Sequence, residues 1–161
     1  MNKLSNDNSL KEGDISNITT YQAGILQAAT HRILQKKCDV ILKPYGLSKV
    51  QWLLIGAVLD AGKDGIRLTD LSKTLDTTIS FITVAVNLLV AKGILSRTDS
   101  ESDSRSKLVT VNESFMDSCE EIEGTLREAL RKELYANITR DELKTYMKVL
   151  YLITESDKSS R

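Results

Sequence analysis

The sequence predicts a mainly α-helical fold, a winged helix-turn-helix carried between long N- and C-terminal dimerisation helices. Three observations carry this expectation. Two short helical patterns meet at the tight turn Asp76-Thr77, and Gly93 then introduces two strand-like runs. Apolar stripes near both ends of the chain are more than one monomer has segments to bury.

Each element follows in order. Residues 1–17 are polar and rich in Asn and Ser, as a flexible tail would be. A first helix runs from about Ile18 to Lys43, with Ile25, Leu26, Ala29, Ile33, Val40 and Ile41 on one stripe, and Pro44 and Gly46 stop it. Ser48 is an N-cap for a second helix, Lys49 to about Asp60, with Trp52, Ile55 and Leu59 among its apolar positions. After the turn 61–65, Thr69 is expected to cap a third helix ending at Leu75. Thr78 caps a fourth through Lys92, with Gly93 in the position of a C′ glycine. Strands over Ile94–Thr98 and Lys107–Asn112 flank the acidic, serine-rich stretch between them.

The remainder reads as helix. Phe115, Cys119, Ile122, Leu126, Leu130 and Leu134 recur at spacings of three and four. Asn137 and Ile138 break the pattern, and the Thr139/Glu142 capping box opens a last helix with Leu143, Tyr146, Met147, Leu150 and Ile153 on one stripe. The expected organisation is a tail at 1–17, a dimerisation helix at 18–45, a DNA-binding lobe at 46–112 and dimerisation helices at 113–161.

Composition narrows the function classes. At 161 residues the chain is about one domain, and 41% apolar with 27% charged is ordinary for a soluble protein. No basic and apolar leader opens it and no apolar run approaches a membrane span, so a cytoplasmic protein is expected. One histidine and two cysteines leave no metal site and no catalytic triad. His31 and Cys38, seven residues apart on one helix, would lie about 10 Å apart along the axis, too far for a proton relay. No phosphate-binding glycine motif occurs. The expectation is therefore no enzyme, no cofactor and no metal. Twenty-two basic and 22 acidic side chains give zero net charge. DNA binding would have to rest on a local surface rather than on the global field.

The most specific pieces of the sequence are Gly46-Leu47-Ser48-Lys49-Val50-Gln51-Trp52, Leu68-Thr69-Asp70-Leu71-Ser72, Lys92-Gly93-Ile94-Leu95-Ser96-Arg97 and Asp103-Ser104-Arg105-Ser106-Lys107. In this order and spacing the chain resembles the MarR family of bacterial transcriptional regulators from about residue 18 to 157. The resemblance implies a homodimer that binds double-stranded DNA at a pseudo-palindromic operator, a repressor in the usual case. Many relatives release DNA on sensing a phenolic ligand, an oxidant or a metal, and a small aromatic or phenolic effector is the one expected here. In the family pattern Asp103 orients Arg105 toward the minor groove.

The fourth helix departs from that pattern, because relatives often carry Arg or Lys where it has Val84 and Leu88. Between Thr77 and Ala91 it has no basic residue. With Ile79, Ile82, Val86 and Leu89 inward, the outward residues are Ser80, Phe81, Thr83, Val84 and Asn87. Thr78, Ser80 and Thr83 suit phosphates or bases, Asn87 suits adenine, and Phe81 or Val84 suits thymine methyls. Weaker binding, or an AT-rich operator, is expected, with more of the load on the wing. Arg97 and Lys107, at the strand bases, suit the DNA backbone. The rival reading is a winged-helix dimer that has lost strong DNA binding and serves as a protein-interaction module.

His31, Tyr45 and Trp52 form a candidate ligand pocket, against core packing for Trp52 and a surface or interface role for His31. Peroxide-sensing relatives place their reactive cysteine where this chain has Gly24, so Cys38 and Cys119 read as structural thiols on apolar stripes.

Overall fold

The structure, a computed structural model, describes residues 18–100 and 103–158, with side chains described outside 99–106 and 158. The expected tail at 1–17 lies outside the described residues. The chain divides at Lys37/Cys38 into two compact units. Helix α1, Thr20–Leu42, begins in the first and ends in the second. In the first unit the helix start is closed by Thr19 and Gln22, each side chain accepting from the other residue's backbone N–H at 3.2 and 3.0 Å. Tyr21, Ile25, Leu26 and Ile33 are exposed along it.

The second unit follows the order of elements expected. Helix α2 spans Lys49–Asp60, α3 Leu68–Thr74, α4 Ile79–Ala91, α5 Met116–Glu133 and α6 Arg140–Lys158. Strands β1 (Ile66–Arg67), β2 (Leu95–Ser100) and β3 (Asp103–Val111) form one antiparallel sheet in the order β1-β3-β2. Ile66 and Arg97 both pair with Val109 from opposite sides. One apolar core joins Leu42, Leu54, Ile55 and Val58 to Leu71 of α3 and to Ile82, Val86 and Leu89 of α4. Val109 of β3 and Cys119, Ile122 and Leu126 of α5 complete it.

Local chemistry sets the helix starts. The Ser48 hydroxyl accepts from Gln51 N–H while Gln51 accepts from Ser48 N–H, a full capping box. Asp39 adds a third cap to α2, its carboxylate accepting from Lys49 N–H at 2.6 Å. Thr78 caps α4 by accepting from Phe81 N–H, and Thr139 and Glu142 close α6 reciprocally. Hydrogen bonds from Thr139 to the Glu142 carboxylate hold its pKa below the usual glutamate range. Gly93, at φ 72°, ends α4 in the left-handed conformation that glycine adopts without strain.

Several expectations are corrected. Thr69 does not cap α3. Ile66 and Arg67 pair with Val109 and Leu108, so the helix starts at Leu68 directly from the strand, with no side-chain cap. Both hairpin strands reach further than the alternation suggested, to Ser100 and from Asp103, because backbone pairing continues through polar residues. On α2 it is Leu54 and Val58, rather than Leu59, that join Ile55 in the full core. Ile79, in the first turn of α4, is half exposed rather than inward. Leu126 is buried within this chain, and Leu130 and Leu134 are half-buried, so these three do not belong to a free stripe.

The glycine at 65 is required by contact as well as by conformation. Its φ of 69° and ψ of 178° lie in a region open only to glycine. A Cβ there would stand 2.9 Å from the Val109 carbonyl oxygen and 3.0 Å from Thr110 Cγ2. Gly65→Ala is therefore expected to destabilise the fold by about 2–3 kcal/mol, read as a lower urea midpoint at fixed protein concentration. An unchanged midpoint would contradict this account of the β1–β3 junction.

Candidate nucleic-acid interface

Helices α3 and α4 meet at 110°, inside the range of helix-turn-helix pairs. The turn between them uses Asp76 at φ 45°, a conformation that aspartate tolerates better than most residues. No single described helix is long and apolar enough to cross a membrane, and α3 and α4 pass such a test only when added together across this bend.

The orientation of α4 decides which residues face out. Ile82, Val86 and Leu89 have no exposed surface, which fixes the rotation of the helix. At about 100° per residue, Ser80, Phe81, Val84, Asn87 and Leu88 then share an outward arc of about 120°. All five are exposed, Val84 the most among the apolar ones at 70%. Leu88, which the sequence reading left off this face, is 47% exposed. Thr83 lies at the edge, half-buried, and its hydroxyl donates to the Ile79 carbonyl at 2.8 Å. It thus has lone pairs but no proton to offer. Thr78 is exposed, its oxygen engaged as the helix cap.

The hairpin is fastened to the end of α4 by Asn112. Its amide donates to Gly93 O at 2.6 Å, its oxygen bonds the Ser96 hydroxyl, and its N–H donates to Ile94 O at 2.9 Å. Lys107 is exposed on β3 opposite Asp99. Arg97, expected to reach outward, is instead half-buried. Its Nε and Nη2 are enclosed without a hydrogen-bond partner among the described residues. Asp103 and Arg105 have their backbone in β3, and their side chains lie outside the described ones.

The candidate ligand residues are divided between the two units. His31 belongs to the first unit and is exposed. Tyr45 directs its hydroxyl to Glu121 Oε1 at 3.2 Å and Thr125 Oγ1 at 3.3 Å on α5. Trp52 lines a cleft of about 500 Å³ with Leu126, Tyr135 and Leu143, where Lys49, Arg127, Arg131 and Arg140 bring positive charge. Sequence reading missed this wall because its residues come from α2, α5, α6 and the loop between the last two. The spacing of Arg127 and Arg131 on one helical face was the available signal. Two of these cations are already engaged, Arg127 with Glu123 at 2.9 Å and Arg131 with the Ile138 carbonyl at 3.0 Å. No described cluster of His, Cys, Asp and Glu is placed to hold a metal ion.

Residues 45–106 match the sequence model of the MarR family. The winged-helix segment of this chain is that of the MarR family. No curated protein sequence matches the chain. Among solved structures it is similar to apo wild-type MarR from E. coli, at 24% identity and TM-score 0.69, over 81% of this chain and 94% of that one. A MarR transcriptional regulator from Methanosarcina mazei Go1 matches at 20% identity and TM-score 0.75, over 86% and 98%. Sco3205, a MarR family regulator from Streptomyces coelicolor solved in complex with DNA, matches at 19% and 0.74, over 86% and 89%. The MarR-type winged-helix fold is thus common to all of them.

The thiols behave as packing groups. Cys119 is buried and Cys38 half-buried, both free. Burial pushes both thiol pKa values up, Lys49 opposing and Asp39 adding to the effect at Cys38. A raised pKa keeps a thiol protonated and poorly nucleophilic at neutral pH. Alkylation of Cys119 at pH 7.5 is expected to be on the order of 100-fold slower in the folded protein than in guanidinium. Labelling at the rate of a free thiol would contradict the structural assignment.

Proposed function

We propose that this protein is a DNA-binding transcriptional regulator of the MarR type, a homodimeric repressor that binds a pseudo-palindromic operator. The observation that carries the reading is the outward face of α4, left uncovered by its own chain beside a hairpin tethered to the same helix. Ser80, Phe81, Val84 and Asn87 enter the major groove, with Thr78 donating its hydroxyl proton at the groove edge and Thr83 able only to accept there. Arg105, aligned by Asp103, and Lys107 contact the backbone and the neighbouring minor groove. The half-buried Arg97 supports the wing from within and contributes less to the DNA contact than its position in the sequence suggested. Two such helices about 34 Å apart would read half-sites about ten base pairs apart.

Dimerisation is supported by what the chain leaves uncovered. Tyr146, Met147, Leu150 and Ile153 of α6 are exposed on one stripe, with Val149, Tyr151 and Leu152 exposed around it, and α1 exposes Ile25, Leu26 and Ile33. Such faces belong in an interface. In this reading 18–45 and 113–161 supply the dimerisation region and 46–112 the DNA-binding lobe. The cleft beside Trp52, apolar and aromatic with cationic residues around it, suits a small aromatic acid as the releasing effector. Binding there would bias the spacing of the two α4 helices.

A second reading is favoured by one observation, the absence of charge on α4: a winged-helix dimer that docks a protein instead. A salt titration separates the two. As a DNA binder, the protein should lose on the order of 100-fold in affinity between about 50 and 200 mM salt, as for about four released phosphate contacts. Arg105→Ala should weaken binding about ten-fold without changing the dimer mass in sedimentation. Failure to hold any duplex at low salt would decide for the protein-docking reading.

A further inference from the structure

The outward face of α4 is unusual for a surface meant to meet a polyanion. From Thr77 to Ala91 it carries no charged residue of either sign. Its middle is apolar: Val84 is 70%, Leu88 47% and Phe81 46% exposed, and Ser80 and Asn87 flank them. Thr83 has committed its proton to the Ile79 carbonyl. The hydrogen-bonding heads left to this face are therefore few. Nothing on it can make the bidentate contact to guanine that arginine or lysine supplies.

One feature of the major groove matches an uncharged apolar stripe. The C5 methyl of thymine is the only apolar group that a base pair presents there, and the adenine beside it offers the N6/N7 pair that an asparagine amide fits. A helix free of acids meets no repulsion on entering the groove, and a helix free of bases has no pull toward the phosphates in preference to its floor. Resting on the DNA-binding reading above, we infer that α4 selects its operator by thymine methyl groups packed against Val84 and Phe81, with Asn87 pairing an adjacent adenine. Leu88, one turn beyond Val84, extends the same apolar contact. Sequence discrimination is then a matter of apolar area, while the wing carries the electrostatic part of affinity. A second copy of the chain is the poorer occupant of this stripe, since α6 already exposes a longer run of large apolar side chains, from Tyr146 to Ile153.

The test removes the methyl group and nothing else. Duplexes are selected from a random library with the purified full chain. The selected duplex is then remade with deoxyuridine for thymidine, once within the half-sites and once outside them. We expect A·T pairs where α4 reads. Each half-site methyl lost should weaken binding about four-fold, as for one buried methyl-sized group. One lost in each half-site should then give about 15-fold, and uracil outside the half-sites should have little effect. Val84→Ala and Phe81→Ala alter exposed side chains and should still fold. They should bind the thymine duplex more weakly and lose most of the sensitivity to uracil. Equal affinity for the uracil duplex, an undiminished uracil effect in both variants, or G·C-rich half-sites would overturn the inference while leaving DNA binding intact. Absence of binding to any duplex at low salt would overturn the DNA-binding reading, and this inference with it.

Discussion

Helix α4 is gripped from one side only, and the interface depends on that grip. Ile82, Val86 and Leu89 are fully enclosed, each worth about 1.5–3 kcal/mol of burial. Turning the helix by one residue, about 100°, would lift part of this trio into water and in one direction drive Thr83 and Asn87 inward. The inner face thereby sets the outer one. Ser80, Val84 and Asn87 face out because three apolar side chains two positions away in angle have nowhere else to go.

The rest of the lobe serves to keep α4 and the hairpin in one frame. Leu71 of α3 and Val109 of β3 join the same core, so the sheet is seated on the helices rather than appended to them. Gly65 lets β1 approach β3 at the Val109 carbonyl, and Asn112 ties the far end of β3 to Gly93 and Leu95. Lys92 spans from the end of α4 to the Gly46 carbonyl at 2.6 Å, linking that helix to the turn ahead of α2. A wing fixed at its base in this way moves with α4, and a change in the position of α2 would reach both.

Much of this was readable from sequence where the determinant is local. Ser48, Thr78 and the Thr139/Glu142 pair announced helix starts because a cap is made between a side chain and a backbone group three residues on. Gly93 announced a stop for a similarly local reason. Strand β1 was not readable: two residues have no periodicity, and their pairing with Leu108 and Val109 is decided some forty residues away. The exposure of Ile79 and Leu88 was missed because helical spacing gives direction but not how far the core extends along the axis. Trp52 was placed near a ligand site without its true neighbours, since the cleft joins α2 to residues 123–143. The alignment of Arg105 by Asp103 was an expectation of the family pattern, and it concerns side chains outside the described ones.

The central claim is that DNA covers the outward face of α4. It is tested most directly by placing a reactive thiol there, with Ser80→Cys, against native cysteines that burial keeps slow. Maleimide modification of this thiol should slow at least about ten-fold when the protein is saturated with its selected duplex. A thiol introduced at the exposed Lys63, in the turn after α2, should react as before. An unchanged rate at position 80 in the saturated complex would contradict the account.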